Sequence, residues 1–315
     1  MDQPNRLIVT EGFMIQQILY SERWRRVVFA YAFLAPLLLI YLLLMIYPVV
    51  RGVVWSLQDF SLADLAGNRA IDFVGLNNYV ELFQDATFWT KIIPNTFIFV
   101  VGSVSIQVVF GIALAIVLNQ PFIIGRRIIR SLVLLPWVTA NVVVAYSWVF
   151  IYDSRVGLAN QFLLQVGLDP VSWLADRNIV MPAIILANVW RGTAFAMLIH
   201  TSGLQSISED LFEAAAIDGA DRWQMIRYIM LPLLRPFTLL NLLYATMATL
   251  NIFDLIYIMT GGGPLNNSSV ASLYMYDMSF GQSRFGYGAA ISMVLLLINV
   301  VLTVAYVRWS GSDSR

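Results

Sequence analysis

EAAAIDGADRWQMIRYIMLP, Glu213–Pro232, is a polar, patterned stretch set between two long apolar runs. Ser206 with Glu209 fits a capping box, and Glu209 and Asp210 suit the positive end of a helix dipole, so a first short helix is expected to run to about Asp218. Gly219 can take the left-handed conformation that ends a helix. Asp221 with Gln224 makes a second, looser capping box. On the helix it opens, Trp223, Ile226 and Met230 fall at i, i+3 and i+7 and form one apolar face. Pro232 and Pro236 then turn the chain back. The product is two short helices joined at a glycine elbow. By pattern alone it fits either a handle gripped by another protein or a solvated hairpin tethering its flanks.

The flanks decide the fold class. The 315 residues are 59% hydrophobic and 12% charged, against roughly a quarter charged in soluble domains, and their mean hydropathy is +0.74. Six runs reach the roughly 20 residues a helix needs to cross a hydrocarbon core: Val27–Val50, Ile93–Leu118, Ser131–Ile151, Ile179–Gly203, Pro236–Met259 and Tyr287–Val307. Backbone in lipid must satisfy its own hydrogen bonds, and none of the runs alternates as a barrel strand would, so they read as helices. The expected fold is an all-α integral membrane protein of six transmembrane helices. It divides into an arm (1–26), a six-span domain (27–307) with the polar loop 204–235 between spans four and five, and a tail (308–315). The first run is too long for a cleavable signal peptide, so Met1–Arg26 is expected to stay attached. Within that arm, Gly12–Tyr20 fits a short interfacial helix or a frayed tail equally well.

Of the nineteen Lys and Arg residues, twelve fall on the side that holds both termini and six opposite, with Arg191 inside span four. The positive-inside rule then expects cytoplasmic termini, and with them a cytoplasmic loop 204–235. The clearest vote is GRRIIR, Gly125–Arg130, in a short connection.

No catalytic chemistry is legible. The one lysine, Lys91, lies in no GxxxxGK[ST] phosphate loop, and GGGP (Gly261–Pro264) reads as a helix end and turn. There is no HExxH, and the lone His200 reads as an interfacial polar residue near a helix end. Zero cysteines exclude disulfides and thiolate metal sites. A formal net charge of zero with no basic block offers nothing to nucleic acid. Charges inside spans are costly and usually face a bundle interior or cavity. Arg191 and Asp254 are two such charges, open to reading as packing locks or as part of a path. Asn188, Gly192 and Phe195, at i, i+4 and i+7, share a face beside Arg191. Gly111 and Ala115 form a small-xxx-small pair. Tyr47, Trp55, Tyr152 and Trp309 read as aromatic belts at span ends.

Glu213-Ala214-Ala215, three residues, Gly219, nine residues, then Ile229-Met230-Leu231-Pro232 resembles the EAA---G---------I-LP signature of ABC importer permeases, without a gap. FDLIYIMTGGGP (Phe253–Pro264) and WRGTAFAMLIHTSGLQSI (Trp190–Ile207) resemble the flanking segments of maltose-type permeases, and the likeness runs from Val27 to Val307. It implies a maltose-F-like member of the carbohydrate-uptake branch in a bacterial cytoplasmic membrane. The partners it implies are a second permease subunit, an ATPase dimer that binds ATP and Mg, and a periplasmic or external solute-binding protein. This chain itself would hold no cofactor.

By that resemblance the loop seats in the ATPase. Glu213 supplies a polar contact, Ala214 and Ala215 allow close approach, Gly219 is the elbow, and Leu231 and Pro232 close the signature. The likeness also implies sugar contacts at Asn188, Gly192, Phe195, Thr249 and Ile252, with Arg191 and Asp254 as further candidates on the substrate path. The maltose-type pattern has a tyrosine where this chain has Phe195 and asparagines where it has Thr249 and Ile252. An ion-driven secondary transporter would instead call for internal repeats and paired broken spans; no repeat is evident. A non-transporting scaffold would leave the signature unexplained.

Overall fold

The computed structural model describes residues 24–67, 71–120 and 123–311, so the stretch Gly12–Tyr20 lies outside the described residues. The chain divides into two compact units, one ending at Val54 and the other beginning at Trp55. In the first unit the described residues belong to one helix, α1 (Trp24–Ser56), which carries a π-helical turn at Leu42–Ile46.

The second unit opens with β1 (Gln58–Asp59) and α2 (Leu62–Gly67); β2 (Asp72–Phe73) pairs antiparallel with β1. A short α3 (Asn77–Gln84) leads into α4 (Phe88–Asn119), whose first turn is π-helical. There follow α5 (Arg126–Val138), α6 (Asn141–Ile151), α7 (Leu158–Gln165) and α8 (Val180–Gln205). The polar loop forms α9 (Glu209–Ile217) and α10 (Arg222–Leu233). Last come α11 (Arg235–Leu250), α12 (Asp254–Thr260), α13 (Ala271–Tyr276) and α14 (Phe285–Gly311).

Among the described residues, α1, α4, α8 and α14 are each long and apolar enough to cross a membrane. Two more spans arise if each bent pair counts as one: α5 with α6, bent by 99°, and α10 with α11, bent by 62°. The expected third and fifth spans are therefore not continuous helices. Span three breaks where Thr139 and Ala140 turn extended (ψ 138° and 137°), three residues after Pro136 removes a backbone donor inside α5. The helix bonds re-form at once, with Thr139 N donating to Leu135 O (3.0 Å) and Val144 N to Ala140 O (3.1 Å). Span five stops at Leu250 and restarts at Asp254.

Lipid tails are as apolar as leucine, so helix association in a bilayer rests on close packing and hydrogen bonds. Gly111 lies directly on Ala196 and the Met197 backbone nitrogen, so α4 and α8 meet at backbone distance. Phe99, Ile184, Ala187, Leu255 and Ile256 pack in one core cluster drawn from α4, α8 and α12. Toward the polar loop, Ala115, Leu118, Met197, Leu204 and Leu234 form another. There Arg130 donates to Leu118 O (2.7 Å) and Arg126 to Asn119 O (3.4 Å), so the GRRIIR stretch caps the C-terminus of α4 with positive charge.

At the opposite end of the unit, Asp85 gathers α3, α4, α13 and α14. Its carboxylate accepts from Tyr274 Oη (2.5 Å), Tyr287 Oη (3.0 Å) and the Thr87 and Phe88 amides. Beside it Arg284 pairs with Glu81 at 2.5 Å and lies over the Tyr287 ring.

Two polar side chains sit deeper than expected. His200 is fully buried, between Ala196 O (2.7 Å) and Thr238 Oγ1 (3.1 Å), and ties α8 to α11. Tyr152 is 4% exposed and donates to Ala183 O (3.1 Å), so it is a core residue rather than a belt residue. In both cases a polar tip lets an otherwise bulky ring fill the interior once it finds a partner.

Candidate functional site

The polar loop forms two helices with an elbow. The first cap is Ser208, not Ser206: its side chain accepts from Asp210 N (3.3 Å), while Ser206 Oγ bonds back to Gly203 O within the last turn of α8. After Asp218 the chain takes a left-handed step at Gly219 (φ +81°). Ala220 N reaches Ala215 O (2.9 Å) and Gly219 N reaches Ala216 O (3.1 Å), the paired bonds of a Schellman ending. Asp221 and Gln224 then exchange reciprocal bonds at 2.7 and 2.8 Å, a full capping box. The 62° bend between α10 and α11 falls at Leu234, between Pro232 and Pro236.

On this loop Glu213, Ala214, Gly219, Leu231 and Pro232 are exposed and Ala215 is half-buried. Ile217 is 87% exposed and Trp223 65%. Both are large apolar side chains on the exposed side of the hairpin. The opposite side of the loop closes over a cavity lined by Ile116, Gln120, Phe212 and Ile226.

The residues singled out in the spans come together. Asn188, Arg191, Gly192, Phe195, Thr249, Ile252 and Asp254 all line one cavity of about 280 Å³ between α8 and the α11–α12 break. That volume is near the low end of the roughly 300–1,000 Å³ of small-molecule sites. Asn188 is 3% exposed and donates to Thr249 Oγ1 (3.4 Å), and Gln107 Nε2 donates to Asn188 O (3.2 Å). Gly192 is the close-approach residue: any side chain there would collide with the Gln107 carboxamide. Asp254 is the first residue of α12, and its Oδ1 accepts from Leu255 N (2.9 Å). Arg191 Nε is buried with no hydrogen-bond partner among the described residues.

Several lining residues were not legible in the sequence. Trp137 stacks on Phe195 with centroids 5.1 Å apart, and Tyr244 also packs on Phe195, with centroids 4.1 Å apart. A tyrosine from α11 thus joins the lining although position 195 is phenylalanine. Gln107, Asn141, Asn241 and Asn251 add amides where Thr249 and Ile252 have none. The available signal was amides inside otherwise apolar runs; what was missing was which helix faces them.

The family described as the binding-protein-dependent transport system inner membrane component matches residues 107–309. The trehalose/maltose transport system permease protein MalF of Thermococcus litoralis is 34% identical over 288 residues, covering 91% of this chain and 95% of that protein. The lactose transport system permease protein LacF of Rhizobium radiobacter is 34% identical over 277 residues, covering 86% and 90%. In fold, the chain is similar to a crystal structure of a bacterial ABC transporter involved in the import of the acidic polysaccharide alginate. The TM-score is 0.80 at 24% identity, over 94% of this chain and 99% of that one. The chain belongs to the binding-protein-dependent transport system inner membrane component family: it is a multi-pass membrane permease subunit of an ABC importer, and ATP is hydrolysed by a separate subunit.

Proposed function

We propose that this subunit carries a sugar of about two rings inward through the cavity between α8 and α11–α12, with six spans and both termini in the cytoplasm. The observation that carries the reading is the cavity lining itself. Five residues expected to contact sugar and the two intramembrane charges, Arg191 and Asp254, converge there with the Trp137–Phe195–Tyr244 aromatic cluster. Amides exchange hydrogen bonds with hydroxyls, and aromatic faces suit the C–H face of a pyranose. Sugar names among the relatives support it: trehalose/maltose and lactose.

Power enters at the loop. Glu213 fixes register against an ATPase subunit, Ala214 and Ala215 admit it closely, Gly219 sets the elbow, and Leu231 and Pro232 pass the motion to α11. An ATPase dimer, a second permease subunit and an external binding protein complete the machine. Arg191 and Asp254 line the same cavity, so the lining carries both signs and favours a neutral sugar.

The test is uptake of labelled trehalose, maltose and lactose by proteoliposomes containing the full complex. Vanadate-sensitive, ATP-dependent uptake that needs the binding protein is expected. Uptake that follows a proton gradient with no ATPase present would overturn the reading in favour of a secondary transporter.

A further inference from the structure

We propose that Asn241 is an inner sugar-binding residue, nearer the loop than Thr249 and contacting the second ring of the substrate. The proposal rests on the cavity being the sugar path. Asn241 is 1% exposed and lines that cavity, yet neither its Oδ1 nor its Nδ2 has a hydrogen-bond partner among the described residues. Such an amide is costly to keep in a protein interior, and asparagine gains nothing as a helix former in the middle of α11.

Of the cavity's other amides, Asn141 also keeps a buried Oδ1 without a partner among the described residues, while three are engaged. Asn188 and Gln107 are engaged with Thr249 and the α8 backbone. Asn251 bonds Met247 O (2.7 Å) and Asn299 Oδ1 (3.1 Å). Asn241 is the lining amide whose Oδ1 and Nδ2 are both buried and both without a partner among the described residues, the complement of adjacent sugar hydroxyls that both give and take. Its burial comes from its own chain, so a partner subunit docking outside does not reach it.

Spacing sets what it reads. Asn241, Ala245 and Thr249 follow i, i+4 and i+8 on one face of α11, and all three line the cavity. At 1.5 Å per residue, Asn241 and Thr249 are about 12 Å apart along the axis. One pyranose ring held at Thr249 falls short of Asn241, whereas two linked rings span the gap. Asn241 is then a length sensor met as the sugar passes toward the loop.

The chain has no cysteine, so introduced thiols report without background from this subunit. Asn241→Cys and Asn188→Cys would be assayed in the assembled transporter during MgATP turnover, using 2-aminoethyl methanethiosulfonate. Trehalose, maltose, lactose and glucose serve as protectants. Both thiols are expected to react, with at least one disaccharide slowing each reaction threefold or more, and glucose protecting Asn188→Cys alone.

An Asn241→Cys that stays unreactive, that no sugar protects while Asn188→Cys is protected, or that glucose protects equally, overturns the inner contact and leaves the outer site standing. Absence of protection at both positions overturns the sugar path and this inference with it. A second readout separates binding from packing. Asn241→Leu is expected to raise the disaccharide KM tenfold or more at normal membrane abundance, with Asn241→Gln restoring most of it. An unchanged KM in Asn241→Leu assigns Asn241 to packing and overturns the proposal.

Discussion

Asp85 shows how one carboxylate can organise an end of the helix assembly. Burial alone pushes its carboxyl upward, but bonds from Tyr274, the Phe88 amide, Tyr287 and the Thr87 amide outweigh that, and the group is held below its ordinary 3.8. A depressed carboxylate stabilises the fold fully above the unfolded value and loses that contribution as pH falls through the folded one. The purified complex is therefore expected to lose thermal stability as pH drops below about 4. Asp85→Asn should melt lower at neutral pH and show a shallower acid slope; parallel melting curves for the two proteins would contradict this. At Gly111 the constraint is space, since Ala196 and the Met197 backbone occupy the volume a side chain needs. Gly111→Val should cost about 1–3 kcal/mol through overpacking, read as a fall in melting temperature and in membrane abundance.

Among the elements, the polar loop was largely legible because its signals are local. The Asp221–Gln224 capping box, the Gly219 turn and the two flanking prolines each act within a few residues. The misplaced first cap differs by two positions, because Ser206 is still part of the α8 ending. A Cβ at Gly219 would meet nothing within 4 Å, so glycine is required there for its positive φ and not for room. Left-handed backbone costs roughly 1–2 kcal/mol for a residue with a side chain, least for Asn and Asp. Gly219→Val is thus expected to cut uptake tenfold or more while the ATPase keeps its basal hydrolysis, and Gly219→Asn to retain most uptake. Equal uptake in the two variants would remove the elbow from the mechanism.

For the whole molecule, sidedness decides which end meets which partner. Ile217 on the loop and Phe280 beyond α13 are both well exposed and lie at opposite ends of the second unit. In sealed inside-out vesicles carrying the permease without its ATPase, Ile217→Cys is expected to react with an impermeant maleimide and Phe280→Cys to be protected. The reverse pattern would invert the proposed topology. Broken spans also belong to this scale: α5–α6 and α11–α12 are both interrupted beside the cavity, the kind of place where non-helical backbone is tolerated in a membrane protein. Interruption of spans alone thus did not separate an ABC permease from a secondary transporter.

The sequence by itself determined the membrane class, the apolar runs, the loop with its glycine turn and second cap, and the family, because hydropathy, capping and signature spacing are properties of neighbouring residues. It also placed Asn188, Gly192 and Phe195 on one helix face through the 3.6-residue period. Only the tertiary structure decided that Gln107, Trp137, Asn241 and Tyr244 join them, that His200 is buried against Thr238, and that spans three and five break. Those outcomes depend on which faces of distant helices meet, and in a bilayer that choice rests on close packing and polar pairing between segments far apart in the chain.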